Sequence, residues 1–244
     1  MNRFYNMFTS SARLPWSPAA TIGTGAAVGS LPVLRQAANG TDWTWQAVAI
    51  CERLAAFLLL LLALPVIAVC AVALWLRSGR TPFIAHRRVG WQGATLWMLK
   101  LRTMWGGEER RATGLLELID DQSGPELKSL DDSRVSCRFA RFCRRHSLDE
   151  LPQLWHVIAG DMSLVGPRPV TENELRRYYG AHAVEILQAK PGLAGLWQIS
   201  GRNRLTYAER CRLDLQLVRQ RTIPLYCAIL WRTLPEIFHG ENSW

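Results

Sequence analysis

The sequence predicts a membrane-associated α+β protein: a re-entrant, kinked N-terminal membrane helix, then a mainly helical cytosolic domain with a small β-hairpin or sheet and amphipathic interfacial helices. Three observations predict it. Residues 54–76 carry no charge and are dominated by Leu, Ala and Val, with Pro65 near the middle. Residues 81–84 and 94–104 are short apolar runs around the turn-forming Val89-Gly90-Trp91-Gln92-Gly93, the pattern of two strands and a connection. Further on, helical signals take over, with a capping signature at Thr171-Glu172-Asn173-Glu174 and a helical period from Tyr207 to about Gln220.

The chain has 244 residues and a formal net charge of +9, from 29 Lys and Arg against 20 Asp and Glu. That length holds one substantial core with appendages. Most of the surplus is arginine, whose planar fork of donors suits phosphate oxygens on nucleotides, lipids or nucleic acid alike. Six cysteines, at 51, 70, 137, 143, 211 and 227, include no C-x-x-C pair. This argues against a disulfide framework or a zinc site and fits inert thiols in a reduced cytosolic setting.

Residues 1–46 mix Ser, Pro, Ala, Gly and Thr without a hydrophobic period and read as a flexible cytoplasmic tail. Their Ala/Gly stretch is too weakly apolar for a signal peptide. The membrane helix is expected over residues 47–78. At ~1.5 Å per residue its uncharged run matches a bilayer core. Pro65 removes a backbone hydrogen bond and clashes with the preceding turn, so a kink is expected there. Proline suits a crossing and a hairpin alike. Basic residues flank both ends, Arg3, Arg13, Arg35 and Arg53 upstream and Arg77, Arg80, Arg87 and Arg88 downstream, which favours a hairpin entering and leaving by the cytoplasmic face.

Residues 79–244 form the cytosolic domain with its membrane-interface helices. Residues 105–133 are polar and turn-rich, a surface loop. The helix opened by Thr171 should run to about Gln188, where Pro191-Gly192 ends it. Residues 224–232 are apolar nearly all round and too short to span. They suit an interfacial helix with Trp231 and Arg232 at headgroup level, a core helix, or a contact in a homodimer.

The chemistry concentrates in Ser147-Leu148-Asp149-Glu150-Leu151-Pro152, behind the basic run Arg138, Arg141, Arg144 and Arg145. Ser147 and Glu150 match a helix capping box, which would make both acids structural. Pro152 opposes that reading, because at the fifth helical position it lacks the N–H that Leu148 needs. A helix beginning nearer Asp149 leaves two carboxylates at its N-terminus, where the dipole and the arginines keep Asp149 ionised. An ionised aspartate is a competent nucleophile toward phosphorus, and a second carboxylate beside it can hold a divalent cation. Pro167-Arg168-Pro169 presents one arginine on a restrained backbone, for phosphate or for a salt bridge.

Taken together, the apolar run with its central proline, Lys100-Leu101-Arg102-Thr103-Met104, residues 147–155, Gly160 to Pro169, and Lys190 to Asn203 with its Gln198-Ile199-Ser200-Gly201-Arg202-Asn203 closely resemble the bacterial sugar transferases, monotopic phosphoglycosyl transferases. The exopolysaccharide-initiating galactose and glucose types are the nearest in wording. The resemblance implies transfer of a sugar 1-phosphate from a UDP-sugar to undecaprenyl phosphate at the cytoplasmic face of the bacterial inner membrane, with release of UMP. It implies that Asp149 is the nucleophile and that Glu150 ligates Mg2+. Arg144, Arg145 and Arg168 would hold phosphate oxygens, with Lys100 and Arg134 as secondary contacts. Arg102, Gln198, Arg202 and Asn203 are candidates for the nucleotide or sugar. Two positions depart from the pattern: Leu64 precedes the proline where serine is common, and His156 stands where many relatives have asparagine.

A non-enzymatic, membrane-anchored basic protein that binds anionic lipid or nucleic acid explains the charge and the anchor equally well. It leaves the acidic pair unexplained. Adjacent carboxylates repel a polyanion, so no nucleic-acid partner is expected.

Overall fold

The computed structural model describes residues 43–105, 114–122, 135, 137–201 and 205–239. Helix α1 (Trp43–Ser78) opens the fold. It starts ahead of the expected residue 47 because its first turn has tertiary partners: Trp45 packs edge-on to Tyr226, with ring centroids 6.3 Å apart, and the Arg221 Cζ lies 3.9 Å from the Trp45 ring. The rest of the expected tail lies outside the described residues. The helix includes Pro65 and ends at Gly79, whose φ of 66° puts it in the left-handed region while its amide donates to the Trp75 carbonyl.

One stripe of α1 is covered along most of its length. Glu52, Ala56, Ile67, Cys70, Ala71 and Leu74 are buried, and Leu60 and Ala63 pack against the core between them. The opposite face, with Leu58, Leu62, Val69 and Leu76, is exposed and apolar. This one helix, among the described residues, is long and apolar enough to cross a membrane.

Strands β1 (Phe83–Val89) and β2 (Thr95–Leu101) pair antiparallel, with Ile84 opposite Lys100 and Arg88 opposite Leu96. Gln92 and Gly93, both at positive φ, close the connection expected there. Strand β3 (Leu116–Ile119) joins the other edge of β1 in parallel, giving the order β2-β1-β3. The expected loop over 105–133 therefore contains a strand. Its apolar run is short, and its partner is remote in sequence.

Helix α2 (Arg138–Arg145), a 3-10 turn (Leu148–Gln153) and α3 (Leu154–Ala159) follow, then β4 (Ser163–Val165). The capping box at Thr171 and Glu174 forms as expected and opens α4 (Glu172–Glu174). The helix expected through Gln188 does not stay regular. It passes through a π-helical turn to Gly180, whose φ of 48° and ψ of −120° interrupt it, before α5 (Ala183–Ile186). Strand β5 (Gly192–Ala194) pairs in parallel with β4. Helices α6 (Leu196–Ile199), α7 (Tyr207–Arg219) and α8 (Ile223–His239) complete the fold, α7 with the bounds its period predicted.

The buried Glu52 carboxylate ties α1 to the domain. It accepts from the Ser163 hydroxyl at 2.5 Å, the Leu164 amide at 2.9 Å and the Tyr226 hydroxyl at 2.5 Å, joining α1, β4 and α8. On α8, Leu225, Tyr226 and Ile229 face the core and Trp231 is 77% exposed, so the segment has both a core face and an outward apolar face.

Candidate active site

Helix α2 ends at Arg145, and Ser147 turns the chain with φ 54° and ψ 23°, a conformation uncommon for a non-glycine residue. Its side chain makes no cap bond. The capping-box reading of Ser147 and Glu150 is thereby excluded. The next residues wind as a 3-10 turn that accommodates Pro152, and α3 begins only at Leu154.

This geometry separates the two acids. Asp149 points inward and is 8% exposed, beside the buried thiol layer of Cys143 and Cys70, whose sulfurs are 4.0 Å apart. Burial raises the Cys143 thiol far above its ordinary range, with Cys70 and the Asp149 charge adding to it, so it stays protonated and inert. Glu150 is half-buried and its Oε1 accepts from the Lys100 Nζ at 2.7 Å. Lys100 therefore stands with the acidic pair, brought there by strand β2.

Behind the turn, His156 on α3 accepts the Leu99 amide through Nε2 at 3.2 Å, pinning α3 to β2. Burial lowers its pKa, and Asp161, 3.6 Å from Nδ1, works in the other direction. A neutral ring with its proton on Nδ1 fits both contacts.

Ile84, His86 and Arg88 on β1 share a face with Lys100, Met98 and Leu96 on β2. His86 is pushed down to about 4, first by burial and then by Arg88 and Lys100, so it is neutral at physiological pH. At the far end of this face stands Arg168. Burial opposes its charge, and Glu174, 3.9 Å away, together with Tyr207, Tyr179 and Asp214 more than offsets that. Glu174 itself accepts from the Thr171 amide and the Tyr207 hydroxyl, each within 2.8 Å.

Other expected site residues are placed differently. Arg102 is buried, and its guanidinium is committed to the Thr81 carbonyl, the Thr81 hydroxyl and Glu117, so it braces the sheet. Gln198 accepts from the Gly195 amide and donates to the Leu193 carbonyl at 3.2 Å, a local brace at the start of α6. Arg144 and Arg145 occupy the last turn of α2, half-buried and exposed respectively. Arg134, Arg202 and Asn203 lie outside the described residues.

Sequence reasoning did not single out Arg88, His86 or Glu174 as neighbours of Lys100 and Arg168. The signal for the first two was the period of two along β1, which puts them on the face of Lys100. Among the described residues, no group of three or more His, Cys, Asp or Glu could hold a metal by itself. Asp149 and Glu150 offer two carboxylates, a set that suits Mg2+ bound mainly through substrate phosphates.

A family model described as bacterial sugar transferase matches residues 43–240. The chain belongs to the bacterial sugar transferase family. This sugar transferase is 38% identical over 196 residues to the exopolysaccharide production protein ExoY of Rhizobium meliloti, covering 79% of the chain and 86% of the relative. It is 38% identical over 171 residues to the UDP-galactose-lipid carrier transferase of Erwinia amylovora, covering 69% of the chain and 35% of that protein. A UDP-glucose:undecaprenyl-phosphate glucose-1-phosphate transferase of Caulobacter vibrioides is 34% identical over 204 residues, 79% of the chain and 70% of the relative. The sugar transferase thus spans most of ExoY but only about a third of the Erwinia protein.

Proposed function

We propose that this sugar transferase moves a sugar 1-phosphate from a UDP-sugar, UDP-galactose or UDP-glucose, to undecaprenyl phosphate, as the first membrane step of exopolysaccharide synthesis. The named relatives supply the substrates. The observation that carries the chemistry is the buried Asp149 carboxylate next to a Glu150 held by Lys100.

In the first step an Asp149 oxygen attacks the β-phosphorus of the donor. The bond from that phosphorus to the bridging oxygen breaks, and UMP leaves with the bridging oxygen and its electron pair. In the second step a phosphate oxygen of the lipid acceptor attacks the same phosphorus and expels the Asp149 carboxylate, leaving a polyprenyl diphosphosugar. Lys100 turns from Glu150 to the diphosphate as the donor arrives, and Arg144, Arg145 and Arg168 hold phosphate oxygens. Glu150, with donor oxygens, would hold Mg2+, which supplies charge neutralisation on the diphosphate.

The lipid acceptor explains the anchor. We place the enzyme on the cytoplasmic face of the inner membrane, with α1 embedded in one leaflet as a re-entrant element.

The mechanism is checked by incubating the purified chain with radiolabelled UDP-sugar without acceptor. Wild type is expected to release about one equivalent of UMP and retain label on the protein, and Asp149→Asn neither. Transfer that persists in Asp149→Asn would falsify the nucleophile assignment.

A further inference from the structure

Three guanidinium groups gather at the end of the sheet face away from Lys100: Arg88 and Arg168 near the Glu174 carboxylate, and Arg210 beside Arg168. The Val89 amide donates to the Val170 carbonyl at 2.8 Å, bringing the chain at Arg88 against the chain at Arg168. Arg168 lies 3.9 Å from Glu174, with its Cζ 6.0 Å from the Trp197 ring. Arg210 on α7 places its Cζ 5.1 Å from the same ring.

The local charges do not balance. Among the described residues the buried Arg210 Nε has no hydrogen-bond partner. Burial works against the charges of Arg88 and Arg210. Glu174 partly offsets this for Arg88, and Arg168 repels both. Two further carboxylates lie near: Asp121 favours the charge of Arg88, and Asp214, pushed up to about 7 by burial, is only part-ionised at neutral pH. Half-buried cations in excess of their counter-charges favour an incoming anion.

Position tells which anion. Arg88 is displaced along β1 from Ile84, the partner of Lys100, by ~13 Å at the rise of an extended strand. Arg88 now donates to the Arg87 carbonyl and Lys100 to Glu150, and side chains of that length, turned toward each other, would bracket one diphosphate. The residues adjoining the cradle, Val89, Val170 and Cys211, belong to a core cluster that contains no α1 residue. On the side of β1 and α7 the cradle therefore backs onto a core that the membrane helix does not enter.

We propose that Arg88, Arg168 and Arg210 form a second phosphate cradle, which takes the nucleotide-side phosphate of the donor, the one that leaves on UMP. It does not take the phosphate of the lipid acceptor. This inference rests on the transfer reading above.

UMP binding to the full chain in detergent, followed by titration calorimetry, reads the cradle without turnover. Arg88→Gln and Arg210→Gln are each expected to weaken UMP binding about tenfold or more, the loss of a charge-assisted hydrogen bond. KM for polyprenyl phosphate is expected to stay unchanged. Arg88→Lys and Arg210→Lys, which keep the charge, should recover most of the affinity. Unchanged UMP affinity in both Gln variants overturns the proposal, as does a raised KM for polyprenyl phosphate with UMP affinity intact. Lys variants that bind as weakly as the Gln variants while melting at the wild-type temperature also overturn it. A wild-type chain that binds UMP but transfers nothing to polyprenyl phosphate refutes the transfer reading and leaves the cradle standing.

Discussion

Asp149 and Asp214 are both buried, but the Asp214 carboxylate sits deeper, at 1% exposure, accepting from the Tyr179 hydroxyl at 2.9 Å. Its Oδ1 has no partner among the described residues. Burial raises its pKa to about 7, and the bonds from Tyr179 and the Arg168 backbone only moderate this. The unfolded chain ionises such a group near about 3.9. Between those values the folded state holds a proton that the unfolded state has released, so stability falls as pH rises. The contribution of Asp214 is full below about 4 and is lost as pH rises through about 7. Asp214→Asn should therefore flatten the decline in melting temperature between pH 4 and 8, measured by thermal unfolding in detergent; an unaltered slope would show that burial does not govern this carboxylate. At this scale the sequence was informative where residues are consecutive: Asp149 and Glu150 sit side by side in any conformation. It was uninformative for lone charges. Lys100 lies in β2 and Arg102 just past its end, yet one meets Glu150 and the other meets Thr81 and Glu117, and only the unforeseen β3 supplies Glu117.

Between elements, the position of Arg168 depends on how closely β4 and β5 approach. The Gly166 amide donates to the Ala194 carbonyl and the Gly192 amide to the Pro167 carbonyl, both at 2.9 Å. A Cβ at Gly192 would collide with the Gly166 amide nitrogen and sit 2.6 Å from its Cα and 2.8 Å from the Ala194 oxygen. All of these atoms are backbone, so no side chain can swing away. Gly192→Ala is expected to cost about 1–3 kcal/mol, the usual range for overpacking, and to lower turnover with it by displacing Pro167-Arg168-Pro169. Chemical denaturation and a steady-state assay on the same preparation check both; wild-type values would mean that the strands can separate freely. Elements with strong local signals were legible, as the capped helix α7 and the hairpin of β1 and β2 show. Strand β3 was not, because its pairing is non-local, and the break at Gly180 was not, because a lone glycine in a helical pattern is ordinarily tolerated.

Across the whole molecule, the covered stripe on α1 bears on how the chain meets the membrane. The stripe runs from Glu52 to Leu74, about 33 Å of helix contour at the standard rise and so comparable to a bilayer core. If α1 crossed the bilayer perpendicularly, the domain packed along that stripe would be drawn into hydrocarbon with it, including the Glu52 site and the polar ends of β4 and α8. Burying such groups in lipid costs several kcal/mol each where they lack partners. Lying in one leaflet, α1 keeps the domain in water and immerses only its outward face of Leu58, Leu62, Val69 and Leu76. Both helix ends then face the same compartment. The prediction is tested with Trp43→Cys and Arg77→Cys, each in a background where the exposed Cys51 and Cys227 are replaced by serine. A membrane-impermeant maleimide should label both reporters in inside-out vesicles and neither in intact spheroplasts. Labelling of Trp43→Cys from the periplasmic side, with Arg77→Cys still reached only from the cytoplasm, would establish a single crossing and require the domain to leave that stripe of α1 when the protein enters the membrane.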